Sequence, residues 1–454
     1  MWKAILLCAF VGLTASEKIF YENYKLYVVI PHKQQDLDYL NIFYKYDSAR
    51  EYDYWKIPDE LTAPTEIMVS PESEDMFKMR MKVGMMTYMN LTNNVQKLIN
   101  NTMEEDESND IQEFINKITR RDQAINNLEK GGNEKEREKQ PSSFDFTSYH
   151  TLEEIYQNLD DLAERYPKNV KIIVAGTTFE GRQIKGVKVS FKPNKAPGVF
   201  LEGGTNAREW MTPAVVMYIT HQLLNNDHIK HKVRNYNWYI FPVFNPDGYV
   251  YTHTTDRLWV KNRKPVSNEF SIGTEQCIGT NLNKNWDYEW NTGGTSVQPC
   301  SNGFPGIEPF SEIETSSISK YIESIQNEFS VYFSFHSESD AVMYSPNKEM
   351  DSMANEIVMK TIVDEGMLNT DHIYVNGVER FRIPHIFKLT NTTSGSAAHY
   401  IRNKHQKSLV FSYGLHNDIY GFLQPPDLIV STGNNSTYSI LRMLTQAEYN
   451  LLFW

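Results

Sequence analysis

The sequence predicts an α/β fold: a mixed, mostly parallel sheet covered by helices on both faces, preceded by a small α+β domain. Three observations carry this reading. From residue 144 onward, short apolar runs with strand character alternate with helical stretches, the pattern of a covered, mostly parallel sheet. Within that region, 199–213 (Val-Phe-Leu-Glu-Gly-Gly-Thr-Asn-Ala-Arg-Glu-Trp-Met-Thr-Pro) reads as buried strand, tight turn and helix, with Thr212 as cap and Pro213 at the first helical position. Such turns, at the carboxyl ends of strands, are where α/β proteins keep their chemistry. Third, a charged, apolar-poor stretch at 103–143 separates this region from a shorter one before it.

Taken in order, residues 1–16 read as a secretory signal: Lys3 gives the positive start, 4–13 the apolar core, and Ala15-Ser16 a small-residue cleavage region. A membrane anchor is the poorer reading, because the apolar run is about half of the ~20 residues that spanning needs. Residues 17–102 form the small domain, with strand-like stretches at 24–30 and 66–70, an ambiguous stretch at 76–88, and a closing segment at 94–99. In 103–143, Ile111, Phe114, Ile115 and Ile118 recur at helical spacing, and 131–141 has the composition of a disordered linker. Arg120-Arg121 and the basic residues at 137–139 offer trypsin-like cleavage sites, or belong to an uncut solvated linker.

The domain at 144–454 opens with a helix whose Thr151 and Glu154 make a capping box. Leu152, Ile155, Tyr156, Leu159 and Leu162 give that helix one apolar face. Strands are expected at 170–175, 185–191, 199–201, 237–244, 331–335 and 408–412, and helices at 212–224, after Ser311 with Glu314 as cap, and at 436–452.

The chain has 454 residues and a formal net charge of −12, and its pI near 5.5 argues against nucleic-acid binding. Outside the leader it holds two cysteines, Cys277 and Cys300. In an oxidising compartment they pair across a loop; two buried free thiols are the alternative. Sequons begin at Asn90, Asn100, Asn391, Asn434 and Asn435, which is consistent with secretion.

Several stretches then carry a resemblance. Asn206-Ala-Arg-Glu209-Trp210, Asn245-Pro-Asp-Gly-Tyr249, Arg257-Leu-Trp259, Asn283 with Asn285-Trp-Asp287, Phe335-His336-Ser337 and Tyr420-Gly-Phe-Leu423 occur in one order, and the chain resembles the zinc carboxypeptidases of the A/B type. The opening Tyr-Glu-Asn-Tyr-Lys-Leu-Tyr-Val-Val at 21–29 is similar to their pro-domain, which in that family covers the active-site cleft and packs on the catalytic domain. The resemblance implies a disulfide between Cys277 and Cys300.

It also implies a site, and the site is altered. A catalytic zinc takes three protein ligands and leaves one position open for water. Glu209 and His336 match the second and third family ligands, but Asn206 stands where the first is a histidine, and an amide is a poor zinc ligand. The family's glutamate base falls on Tyr413, or on Gly414 with a one-residue gap; neither is a base at neutral pH. The arginine that steadies the oxyanion is replaced by Val260, with Lys261 beside it. For the substrate carboxylate, Asn283 is kept, Lys284 replaces an arginine, and Asn391 stands in place of a capping tyrosine. Ala398 occupies the position that sets side-chain preference and points away from basic residues. Of the other histidines, His228, His231, His399 and His416 are candidates for a relocated metal site, although surface or loop roles are the ordinary reading.

The expectation is a secreted, catalytically inactive homologue that acts by binding a peptide C-terminus or a protein partner, with zinc absent or weakly held. The alternative is an active zinc carboxypeptidase with an unconventional metal site that removes non-basic C-terminal residues.

Overall fold

The computed structural model describes residues 18–47, 51–103, 144–192, 196–266, 276–337, 342–344, 353–367, 372–375, 378–381, 394–415, 421–450 and 452. The leader, the helix and cleavage sites read in the connector, Asn391 and His416 lie outside the described residues.

The N-terminal domain is a four-stranded antiparallel sheet of order β2-β3-β1-β4. Its strands are β1 (Lys25–Val29), β2 (Tyr52–Lys56), β3 (Thr65–Val69) and β4 (Tyr88–Thr92). Period-two alternation sorts the side chains. Tyr27, Val29, Ile67 and Val69 pack with Leu40 of helix α1 (Gln34–Tyr46) and with Phe77 and Met81 of α2 (Glu74–Val83). The intervening Leu26 and Met68 turn to the opposite face, where they meet Trp55, Val95 of α3 (Val95–Met103), Leu258, Phe422 and Leu423. The second face is therefore the surface that docks on the larger domain. The ambiguous stretch at 76–88 resolves into most of α2 and the start of β4.

The larger domain carries a seven-stranded sheet, order β10-β13-β9-β7-β8-β6-β5. These are β5 (Val170–Thr177), β6 (Gln183–Ser190), β7 (Gly198–Glu202), β8 (Asn237–Phe241), β9 (Val331–His336), β10 (Val342–Tyr344) and β13 (Leu409–Gly414). A separate pair, β11 (His372–Val375) and β12 (Val378–Phe381), stands outside it. The central strands β13, β9, β7 and β8 run parallel, and the outer pairings are antiparallel.

Helices cover both faces. One face packs Val199, Leu201, Phe333, Phe335 and Phe411 against α4 (Leu152–Arg165), α5 (Met211–Asn225), α9 (Met353–Met367) and α11 (Leu428–Tyr449). The other packs Phe200, Tyr239, Phe241 and Tyr332 against α8 (Ile313–Ser324) and α10 (Ala397–Lys404). Two shorter helices, α6 (Asp227–Val233) and α7 (Pro246–Thr254), flank β8.

Thr151 and Glu154 form the expected reciprocal capping box on α4. Two other caps differ from expectation. Helix α5 begins at Met211 without a side-chain cap, because the Thr212 hydroxyl donates to the Glu209 carbonyl (3.0 Å) and accepts from Gly204 N (2.9 Å), tying the turn together. Helix α8 begins at Ile313; Ser311 instead bonds Asn285 and Glu312, and Glu314 accepts from Phe179 N and Asn262. The disulfide joins Cys277 and Cys300.

Candidate functional site

The carboxyl ends of the parallel strands bring the site together. Glu202 ends β7 opposite Ser334 of β9, and Gly414 ends β13 opposite His336. After β7 the chain reverses at Gly203 and Gly204. Gly204 has φ +63°, and a Cβ there would stand 3.0 Å from the Val243 backbone, so a side chain would be strained in conformation and in space. This tight reversal returns Asn206 and Glu209 to the strand ends.

Asn206 Nδ2 donates to Glu209 Oε1 at 2.8 Å. A carboxylate has no hydrogen to give, so the amide presents its nitrogen to Glu209. Glu209 Oε2 accepts from the Ser337 backbone N–H (3.2 Å) and lies 3.5 Å from His336 Nδ1. On the other side of the ring, His336 Nε2 is 3.0 Å from Ser334 Oγ, and Ser334 donates to Glu202 Oε1. With the serine proton given to Glu202, it is Nε2–H that donates to Ser334. Glu202 also accepts from Thr205 (2.8 Å) and Tyr332 (3.3 Å). The result is a buried polar chain running Asn206–Glu209–His336–Ser334–Glu202. Burial pushes the Glu202 carboxyl up, against the opposing pull of His336 and its hydroxyl donors.

Val260 adjoins this chain through the backbone: its carbonyl accepts from Ala207 N at 3.1 Å. Its side chain is apolar and buried. The neighbouring cations are committed elsewhere. Lys261 is 1% exposed and donates to the Pro299 carbonyl (2.8 Å); burial, then the Arg263 charge, push its ammonium down to about 7. Arg257 lies over the Trp210 ring and donates to the Arg208 carbonyl at 2.7 Å.

Tyr413 does not face His336. It pairs with Phe335 in the strand register, and its ring packs 5.1 Å from Phe335 and 6.4 Å from Phe333, in the core on the other side of the sheet. Gly414, the alternative that the sequence left open, is the residue in register with His336. Along a strand, side chains alternate in face, so a side chain at 414 would point to the His336 face while one at 413 cannot.

Asn283 and Lys284 sit in a 3₁₀ turn over Leu282–Lys284, where Asn281 Oδ1 accepts from Asn283 N (2.9 Å). The Ser394-Gly395 segment presses on this turn: a Cβ at Gly395 would be 2.3 Å from the Lys284 carbonyl. Ala398 is buried in α10 beside Trp286. His228 and His231 are exposed on the short helix α6, and His399 is buried near the Tyr288 ring. Among the described residues no group of three His, Cys, Asp or Glu is placed to hold a metal ion.

One contact was not anticipated from sequence. Asp53, from β2 of the small domain, pairs with Arg208 Nη1 at 2.7 Å, with both side chains nearly sealed from solvent (3% and 2% exposed). Asn302 (2.8 Å) and Trp55 Nε1 (3.1 Å) also donate to Asp53. Phe422 lies under the Arg208 guanidinium and meets the Trp55 ring edge-on. Nearby, Tyr21 donates to Asp256 at 2.7 Å. The small domain is thus latched beside Glu209 through the arginine next to it in sequence. Glu202 and Ser334 were also missed. An acid closing the apolar run Val-Phe-Leu-Glu202, and a serine two residues before His336 on the same strand face, were the available signals.

Residues 155–439 match the zinc carboxypeptidase family model, and residues 27–102 match the carboxypeptidase activation peptide. The chain belongs to the zinc carboxypeptidase family and carries its activation domain. Among individual relatives, it is 30% identical over 456 residues to zinc carboxypeptidase A 1 of Anopheles gambiae, covering 98% of this chain and 94% of that protein. It is 29% identical over 326 residues to inactive metallocarboxypeptidase ecm14 of Talaromyces marneffei, covering 65% of this chain and 53% of that protein. The crystal structure of carboxypeptidase A from Helicoverpa armigera superposes with a TM-score of 0.77 at 24% identity, over 95% of this chain and 99% of that one, and shares its fold.

Proposed function

We propose that this chain is a secreted, non-catalytic member of its family that acts by binding, through a peptide C-terminus or a protein partner. The observation that carries the reading is the hydrogen bond from Asn206 to Glu209. A zinc site of this family needs imidazole where Asn206 stands. The amide instead directs a donor at one oxygen of the Glu209 carboxylate, while the other oxygen faces Ser337 N and His336. The donor set does not fit a catalytic zinc: one carboxylate and one imidazole remain, already paired with each other.

The rest of the machinery supports the same reading. Val260 supplies no cation for an oxyanion, and Gly414 supplies no base to the His336 face. One relative of comparable identity is itself named inactive. The leader at 1–16 supports export, and the sequons are those of a glycoprotein. What remains suited to a ligand is Asn283 with Lys284, a point charge for a terminal carboxylate rather than a bidentate fork. Ala398, at the family's selectivity position, offers no group to select a basic side chain.

The test is a pair of peptides differing only in a free or amidated C-terminus, offered with zinc to the chain before and after cleavage in the connector. Binding of the free-acid peptide without release of its last residue supports the reading. Zinc-dependent release of that residue overturns it.

A further inference from the structure

The pro-domain sheet ends at β4, which is paired with β1 on one side only. Four of its five residues are exposed. An open strand edge presents a row of unpaired N–H and C=O groups and invites pairing with another chain. Proteins blunt such edges with lysine, proline or inward charge. Strand β4, Tyr-Met-Asn-Leu-Thr, has none of these, and it presents Met89 and Leu91 to solvent, with Met85 just before it.

The same strand carries the sequon Asn90-Leu91-Thr92. Asn90 is exposed; its amide donates to Asn93 Oδ1 at 3.3 Å and also bonds the hydroxyl of Tyr27, its partner in the strand register. A sugar on Nδ2 would still leave the amide one N–H for one of these two contacts. The sequons in α11 are different. Asn434 and Asn435 are half-buried, and Asn434 Oδ1 accepts from Tyr218 of α5 at 2.8 Å. A Cβ on the adjacent Gly433 would fall 2.5 Å from the Tyr218 ring, so the two helices leave no room there for a glycan.

We infer that Asn90 carries an N-linked oligosaccharide that covers the open edge of the pro-domain sheet, and that Asn434 and Asn435 carry none. This rests on the secreted reading, because the donor is a lipid-diphosphate-linked oligosaccharide of the export pathway. In the transfer, Asn90 Nδ2 bonds to C1 of the first sugar, the C1–O bond to the lipid diphosphate breaks, the lipid diphosphate leaves, and the amide gives up one proton. The chain thereby gains a bulky hydrophilic group on an edge otherwise interrupted only by the register shift opposite Leu26 and Tyr27.

The experiment is expression of the full chain in a secreting eukaryotic cell line. Peptide mass spectrometry then follows enzymatic removal of N-glycans in heavy-oxygen water, which marks each formerly occupied asparagine. The expected result is a marked residue 90, with 434 and 435 unmarked. Asn90→Gln and Thr92→Ala should each lose one glycan step on a gel, and both secreted variants should self-associate more in light scattering than the parent. Secreted protein with a bare Asn90 overturns the inference and leaves the secreted reading intact. Protein retained in the cytosol with a bare Asn90 overturns both. Variants that lose the glycan yet stay as monodisperse as the parent overturn the edge-covering role.

Discussion

The strand register at the end of β13 makes a prediction that separates two adjacent residues. In a background carrying Asn206→His and Val260→Arg, the missing element is the base. Gly414 is in register with His336, whereas Tyr413 faces the core beside Phe335. Gly414→Glu therefore places a carboxylate on the face of the site, and Tyr413→Glu places one among Phe333, Phe335 and Phe411. A positioned general base contributes about 10²–10⁴-fold, and that is the rise in peptide hydrolysis expected for Gly414→Glu. Tyr413→Glu gives no rise and destabilises the fold. Holding a buried carboxyl neutral at pH 7, against an ordinary value near 4.3, costs roughly 4 kcal/mol. Loss of the packed ring adds to that. The assay is hydrolysis of a blocked dipeptide with zinc present, run beside thermal unfolding of each variant. Activity from Tyr413→Glu with none from Gly414→Glu, at equal folding, would refute the register argument and with it the assignment of the base position.

The remaining predictions concern single changes and pH. Asn206→His alone should leave hydrolysis about 10⁴–10⁷-fold below that of an intact site, since both the base and the oxyanion cation are still missing; substantial turnover by this variant in the same assay would contradict that. Asp53→Ala strands a buried Arg208 cation at a cost of roughly 3–5 kcal/mol. In chain cut within the connector, the pro-domain should then bind about 10²–10⁴-fold more weakly; unchanged co-elution on a sizing column would show that the latch is unimportant. Burial pushes His221 down to about 4 and His253 down to about 3, with Arg165 and Arg257 respectively adding to the shift. Above about pH 6.5 both are neutral in either state; below it the unfolded chain binds the protons first, so stability is lost as pH falls from about 6.5 toward 4 and 3, at up to about 1.4 kcal/mol per histidine per pH unit. Denaturant unfolding from pH 7 to pH 4 should show this slope, and His221→Gln should flatten part of it.

Much of the scaffold was legible because its signals are local. The Thr151–Glu154 box, the apolar face of α4, and the strand–turn–helix at 199–213 depend on neighbours within a few residues. Glu209 and His336 lie far apart in the chain and were legible as a couple only because separate motifs named each of them. What was not legible depends on contacts between distant segments. Helix α1 and strand β2 were not anticipated: Lys33 precedes α1 without a side-chain cap, and Asp53 looks like an interruption in an aromatic strand until Arg208, 155 residues away, is beside it. The choice between Tyr413 and Gly414 could not be made from sequence because β13 is buried on both faces, so polar–apolar alternation does not reveal its register. The caps expected at Thr212 and Ser311 failed for a related reason: both hydroxyls are claimed by segments that fold back on them.

The central claim is that the Asn206–Glu209–His336 site holds no catalytic zinc. The most direct measurement is zinc per chain, by elemental analysis of full-length protein purified after zinc loading and removal of free metal. The account predicts a value near zero, unchanged by a strong chelator and unaccompanied by any change in thermal stability. A value near one zinc per chain, lost in Glu209→Gln and His336→Ala, would contradict it.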